Sequence, residues 1–393
     1  MKETFIVSAK RTPVGGFMGS LSGYTATQLG AAAIQQAYES ISLAPEFIDS
    51  IYMGNVLSAG LGQSPARQAA IFARIPQDKD ATTINKVCSS GMKATVLGAQ
   101  QVQLGLENIV VTGGMESMSN VPHYAFLRNG KKLGDTGLTD GMIKDGLWDV
   151  YNDFHMGSAA ELGVKKYGHT RQELDDFAIL SYQKAQNATI RGKFKNELIT
   201  MESNKGKQDS IIDKDEDIDK LIPGKISQLK PAFEKDGLLT AANSSNLNDG
   251  AAALIIASEA ALKKHQIKPL ARIVSYADSA QAPEWFTTSP SLAIRKALGN
   301  AGLQLSDIDF FEINEAYSSV VLSNQKILGF DLEKTNAYGG AVAIGHPIGA
   351  SGARIIVTLL NVLKQENGRY GIAAICNGGG GASAIIIENL KTL

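Results

Sequence analysis

Gly250-Ala251-Ala252-Ala253-Leu254-Ile255-Ile256 returns, 131 residues later, as Gly381-Ala382-Ser383-Ala384-Ile385-Ile386-Ile387. Each run opens on glycine, passes through small residues and ends in aliphatic ones. That is a strand pattern. A strand that occurs twice suggests that its surroundings do too.

They do, in chain order. Ala33-Ile34-Gln35-Gln36-Ala37-Tyr38 resembles Ala293-Ile294-Arg295-Lys296-Ala297-Leu298 at an offset of 260. At the same offset of 260, Ile48-Asp49-Ser50-Ile51-Tyr52-Met53 matches Ile308-Asp309-Phe310-Phe311-Glu312-Ile313. Ser90-Gly91 matches Ser351-Gly352 at 261, and Thr112-Gly113-Gly114 falls opposite Asn377-Gly378-Gly379 at 265. The slow drift is what a duplication with short insertions leaves. The opening pair, at 131, then implies roughly 130 extra residues in the first half, between Gly114 and Gly250. β-branched runs alternate with helical patterns in each half, which implies helices packed on sheets. The expected architecture is two similar α/β halves about a pseudo-twofold, with the insert folded over the junction. The segment boundaries read as 1–118 and 250–271 for the first half, 119–249 for the inserted loop domain and 272–393 for the second half. The charged run Asp209 to Lys220 within the insert reads as a solvated face.

Bulk composition narrows the function. The 393 residues are 44 % apolar and 20 % charged, with a net charge of −1. That balance is ordinary for a globular chain of more than one subdomain and argues against a general nucleic-acid binder. No apolar run is long enough to span a membrane. No His/Cys spacing suits zinc, so no metal is expected. The opening strand signal, without a leader in front of it, makes the cytoplasm the expected compartment, with a mitochondrial location as the alternative if a presequence is missing.

Only two cysteines are present, and both sit among small residues. Cys88 lies in Asn85-Lys86-Val87-Cys88-Ser89-Ser90-Gly91, just before a predicted helix. There the helix dipole and free N–H groups would favour its thiolate. In the equivalent place of the other half stands Gly345-His346-Pro347-Ile348-Gly349-Ala350-Ser351-Gly352. The pseudo-twofold therefore brings His346 near Cys88, as a base for its thiol proton. Asn314 falls at a strand end. Cys376 precedes Asn377-Gly378-Gly379-Gly380-Gly381, whose N–H groups can face a developing oxyanion, with Cys376 beside them as a second acid or base. These parts suit acyl transfer through a thioester. A lone cysteine before a helix often only packs, and glycine runs often only turn. Four separate loops would all have to be innocent at once. His123, His169 and His265 read as surface or packing residues, and Gly15-Gly16 and Gly339-Gly340 as turns.

Five segments carry a resemblance: Asn85 to Gly91, Gly113-Gly114-Met115-Glu116-Ser117-Met118, Asn314-Glu315-Ala316-Tyr317, Gly345 to Gly352 and Cys376 to Gly380. In order and content they resemble the signature motifs of the thiolases over essentially the whole chain, most nearly the acetoacetyl-CoA branch. His155-Met156-Gly157-Ser158-Ala159-Ala160-Glu161 is similar to the short-chain, tetrameric members. The resemblance implies a thiolase-like α/β fold with helices between and outside the sheets. It implies exchange between two acetyl-CoA and acetoacetyl-CoA plus CoA, in a homotetramer. Cys88 would carry the acetyl group. His346 would activate it and share one oxyanion hole with a water held by Asn314. The N–H groups of Cys88 and Gly378 would form the other hole, and Cys376 would move the α-proton. CoA contacts would come from Leu147, His155, Met156, Phe233, Ala241, Ser245, Leu247, Phe286, Ala316 and Tyr317. No cofactor is implied beyond the CoA thioesters. Potassium-dependent animal members carry a tyrosine near this chain's Ile218, so the resemblance leaves potassium activation open in either direction. Tyr317 stands where the family usually has phenylalanine. Ketoacyl synthases are the rival enzyme class, but they condense by decarboxylation and need no base such as Cys376. A non-catalytic acyl-CoA scaffold would have lost one of Cys88, His346, Asn314 or Cys376.

Overall fold

The runs 250–256 and 381–387 lie on two strands at equivalent places in one sheet, each paired with its own neighbours. The computed structural model describes residues 2–203 and 211–390. Its main elements are β1 (Thr4–Arg11), α1 (Ala26–Glu39), β2 (Ser50–Gly54), β3 (Asp80–Ile84), α2 (Ser90–Leu104) and β4 (Ile109–Ser117). After them come α3 (Met156–Tyr167) in the insert, β5 (Asn248–Ser258), β6 (Ala271–Ala280) and α4 (Ser289–Ala301). The chain closes with β7 (Phe310–Ile313), α5 (Ile348–Gln365), β8 (Tyr370–Asn377) and β9 (Gly381–Asn389).

The strands run in the order β7-β8-β9-β6-β1-β5-β4-β2-β3. Read outward from the β6–β1 junction, β6, β9, β8 and β7 mirror β1, β5, β4 and β2. The junction is short and antiparallel: Phe5 pairs with Arg272 and Ile6 with Ala271. Both halves carry the same irregularity, a register shift between Ile6 and Ser8 and another between Ile273 and Ser275. A bulge repeated at the same place in both halves marks the duplication as firmly as the residue matches do.

Register also corrects one match. Gly114 pairs with Ala252 on β5, while Ile375 pairs with Ser383 on β9. With β5 and β9 offset by 131, β4 and β8 are offset by 261 rather than 265. Gly113 and Gly114 therefore lie inside a strand and are not the counterpart of the turn at Gly378. They are glycines because backbone presses on them from both sides: a Cβ on Gly113 would meet Ala252 O, and one on Gly114 would meet Gly349 O.

Helices α2 and α5 form the middle layer. One apolar cluster joins Met92, Ala99 and Val102 to Ile355, Leu359 and Leu363, with Leu254, Ile256, Ile375, Ile385 and Ile387 from the two sheet halves. Every residue of α5 from Ile348 to Leu363 is buried, as expected of a helix covered on all sides. The two helices cross at the repeated Ser-Gly pairs. A Cβ on Gly91 would lie 2.8 Å from Ala353 N, and one on Gly352 would lie 2.5 Å from Met92 N. Outer clusters cover the far faces of the sheet, one built on α1 and one on α4.

The insert is bolted to the first half by a buried ion pair. Arg11 Nε donates to Glu197 at 2.6 Å, and its Nη1 donates to Asp215 at 2.7 Å. Asp217 is buried too, and its Oδ2 accepts from Asn246 and Asn248. The charged run is therefore not a solvated face at Asp215 and Asp217. Arg11, far away in sequence, compensates the buried charge of Asp215. Asp209, the start of that run, lies outside the described residues.

Candidate active site

Both halves and the insert send loops to one cavity of about 310 Å³. Cys88 arrives from the turn between β3 and α2. Val87 just before it has φ +47°, a left-handed conformation that a β-branched residue avoids. Such strain persists only where the surroundings impose it. Ser90 helps, since its Oγ donates to Val87 O and accepts from Lys86 N. Cys88 itself is partly exposed, while Cys376 is fully buried, and both are free thiols.

His346 follows Gly345, whose φ of +115° suits glycine. The His346 backbone N–H donates to Asn248 Oδ1 at 2.8 Å. Its ring Nδ1 is 2.6 Å from Ser351 Oγ, and Ser351 Oγ donates to Pro347 O. When that proton goes to Pro347 O, the hydroxyl accepts from Nδ1–H. In this tautomer the Nε2 lone pair accepts from Asn314 Nδ2 at 3.4 Å. Burial, helped by the Arg354 charge, pushes the His346 pKa down to about 3. The imidazole is thus a neutral acceptor at neutral pH.

The thiolate expectation for Cys88 does not hold in the resting site. Burial pushes its pKa up to about 12, against the pull of the Gly378 N–H and its own N–H. Desolvation outweighs the two donors although the residue as a whole is only partly buried. Burial raises the Cys376 thiol as well, and nearby Cys88 adds to it. The site rests as two neutral thiols and a neutral imidazole. A thiol in this state can attack only as it surrenders its proton, and the Nε2 lone pair can receive it by giving up the long contact to Asn314.

Cys88, His346 and Gly378 line the cavity, together with all ten residues named above as CoA contacts. Asn314 and Cys376 stand behind the lining: Asn314 reaches it through His346, and Cys376 precedes Asn377 and Gly378 at the end of β8. His155 caps α3 by accepting from Gly157 N, and its ring stacks on Phe233 at 5.1 Å. Phe233 and Phe286 both meet Tyr317 edge-on. Of the other histidines, His169 is buried against Ser323, His265 packs on Phe47 and His123 is exposed.

Several contributors escape a reading of the sequence. Met118, Ser244 and Ile348 also line the cavity. Ser351 and Asn248 hold His346. Glu116, fully buried, accepts from Asn55 Nδ2, Val56 N, Leu57 N and Gly349 N, tying the first half to the start of α5. A carboxylate inside an otherwise apolar strand was the available signal for Glu116. Ser351 lay in plain view, five residues after His346.

The family model for the thiolase N-terminal domain matches residues 4–260, and that for the thiolase C-terminal domain matches residues 267–389. "Acetyl-CoA acetyltransferase ERG10, cytosolic" of Gibberella zeae is 51 % identical, over 100 % of this chain and 99 % of its own. "Acetyl-CoA acetyltransferase 2" of Arabidopsis thaliana is 50 % identical, over 99 % of this chain and 98 % of its own. Among solved structures, the Acat5 thiolase of Ascaris suum in complex with coenzyme A superposes with a TM-score of 0.95 at 45 % identity, covering 99 % of this chain and 100 % of that one. Human mitochondrial 3-ketoacyl-CoA thiolase superposes with a TM-score of 0.96 at 38 % identity, covering 99 % of each.

Proposed function

The chain belongs to the thiolase family, and we propose that it interconverts two acetyl-CoA with acetoacetyl-CoA and CoA through an acetyl-Cys88 intermediate. The observation that carries this reading is the convergence of Cys88, His346 and Gly378 on one cavity, with Cys376 buried next to it.

In the cleavage direction Cys88 Sγ attacks the 3-oxo carbon of acetoacetyl-CoA while its proton passes to His346 Nε2. The N–H groups of Cys88 and Gly378 receive the oxyanion. The C2–C3 bond then breaks, and Cys376 gives its proton to the departing carbanion, releasing acetyl-CoA. CoA attacks the acetyl-Cys88 thioester, losing its thiol proton to the site. The thiols regain their protons as the second acetyl-CoA leaves. Asn314 holds His346, and a water on Asn314 would share the second oxyanion position with His346. The resting protonation suits this direction, since Cys376 already holds the proton it must give. Condensation is the reverse, with Cys376 removing the α-proton of the second acetyl-CoA.

The insert, residues 119–249, would cover the CoA, with halves at 1–118 plus 250–271 and at 272–393. No cofactor is proposed beyond the CoA thioesters. Ile218 is buried among apolar side chains, and its backbone O accepts from Gln186 Nε2 at 2.9 Å. We also propose a homotetramer, in which partner subunits cover the exposed Phe126, Leu133 and Leu138. A cytosolic location is proposed on the strength of the cytosolic relative. Loss of the acetoacetyl-CoA enolate absorbance on adding CoA tests the activity, and a folded protein with no turnover would overturn the reading.

A further inference from the structure

The loop that carries Cys88 belongs to the first half, while the hairpin that carries Cys376 and Gly378 belongs to the second. Two residues flanking Cys88 grip that hairpin. On one side Ser89 Oγ donates to Asn377 Oδ1 at 2.9 Å and lies 3.3 Å from Ile375 O. On the other, Lys86 Nζ donates to Asp278 Oδ1 at 2.6 Å and to Ser383 Oγ at 2.9 Å. Ser383 Oγ in turn donates to Asp278 Oδ1 at 2.6 Å, and Lys93 Nζ, from α2, donates to Asp278 Oδ2 at 2.7 Å. In the hairpin Ser383 lies opposite Ile375, and Ala382 opposite Cys376. The left-handed Val87 is thus stretched between two anchors on the same hairpin.

We infer that Lys86, held by Asp278 and Ser383, is a positioning residue that sets the Cys88 sulfur against the Gly378 N–H across the pseudo-twofold. The inference rests on the roles proposed above for Cys88 and Gly378. Its energetic logic is that a half-buried ion pair adds little to global stability. The same pair, attached one residue from a strained turn, fixes the place of a reacting atom, and a displacement of about 1 Å there costs on the order of 100-fold in rate. Lys86, Lys93 and Ser383 hold the Asp278 pKa down to about 2, so its carboxylate stays ionised, while burial lowers the Lys86 pKa against the pull of Asp278.

Three variants test this: Lys86→Met, Lys86→Arg and Asp278→Asn. For Lys86→Met and Asp278→Asn, kcat for acetoacetyl-CoA cleavage is expected to fall by roughly 10- to 100-fold with KM for CoA within about twofold. Lys86→Arg is expected to recover at least about a third of the lost rate, because it keeps the charge and a donor. An unchanged kcat, a KM that rises in step with the loss, or an arginine variant no better than methionine overturns the inference. If Lys86→Met does not fold, Asp278→Asn decides by the same numbers. Alkylation of Cys88 by iodoacetamide separates the clamp from the proposed reaction. The Asp278→Asn thiol is expected to react about fivefold more slowly at fixed pH, since the N–H groups no longer face the sulfur. If the wild type cleaves no acetoacetyl-CoA, the proposed function fails, and the alkylation rates still decide the clamp. Equal rates overturn it.

Discussion

His346 and Ser351 meet at 2.6 Å through Nδ1 and Oγ, and that contact orients the ring. When the Ser351 hydroxyl gives its proton to Pro347 O, the imidazole proton sits on Nδ1 and the Nε2 lone pair faces Asn314 Nδ2. Replacing Ser351 with alanine removes the acceptor and frees the ring to turn or change tautomer. We expect kcat for acetoacetyl-CoA cleavage to fall by roughly 10- to 100-fold with KM nearly unchanged. Steady-state kinetics of Ser351→Ala check it, and wild-type kcat would contradict it.

The pH behaviour follows from the two displaced pKa values. His346, pushed down to about 3, is neutral above that value, and Cys88, pushed up to about 12, is neutral below it. The productive pair of neutral imidazole and neutral thiol is therefore the resting form between those limits. Acetylation of Cys88 by acetyl-CoA should vary little from about pH 5 to about pH 8. Iodoacetamide, which needs the thiolate, should react about tenfold faster per pH unit with no plateau below about pH 10. A plateau near neutral pH would show a preformed thiolate and contradict the account.

Tyr317 brings a hydroxyl to an aromatic wall made with Phe233 and Phe286. Burial raises its pKa, with Cys88 and Cys376 adding to the effect, and it lines the cavity together with Cys88, beside the space where the acyl carbons would lie. Tyr317→Phe should widen that space by the volume of the hydroxyl. The kcat/KM ratio for 2-methylacetoacetyl-CoA over acetoacetyl-CoA should rise about tenfold. A ratio unchanged within twofold would contradict this placement.

The α2–α5 crossing predicts a stability effect free of chemistry. Gly91 lies under Ala353 N and Gly349 O, so an added methyl group must push two helices apart at the molecular axis. Gly91→Ala should lower the unfolding free energy by about 1–3 kcal/mol. Urea unfolding measures it, and a neutral effect would mean that the crossing yields.

The duplication was legible because β5 and β9 are buried on both faces, so each is written as one continuous apolar run that can be matched by eye. The placing of Cys88 and His346 in one site followed from it. The offset of 265 failed because Gly113 and Gly114 look like a turn but serve a close approach to backbone, which only the neighbouring Ala252 and Gly349 explain. The solvated reading of Asp215 and Asp217 failed because the compensating Arg11 is far away in sequence. The resting state of Cys88 was hidden for a third reason. A helix start and two N–H groups can be read locally, whereas the desolvation that outweighs them comes from the packed insert and both halves together.

The central claim is that Cys88 carries the acyl group while Cys376 only moves a proton. Intact-mass measurement after incubation with acetyl-CoA tests it directly. We predict one acetyl adduct on the wild type, the same adduct on Cys376→Ala, and none on Cys88→Ala. An adduct that persists in Cys88→Ala, or none on a folded wild-type protein, would contradict the account.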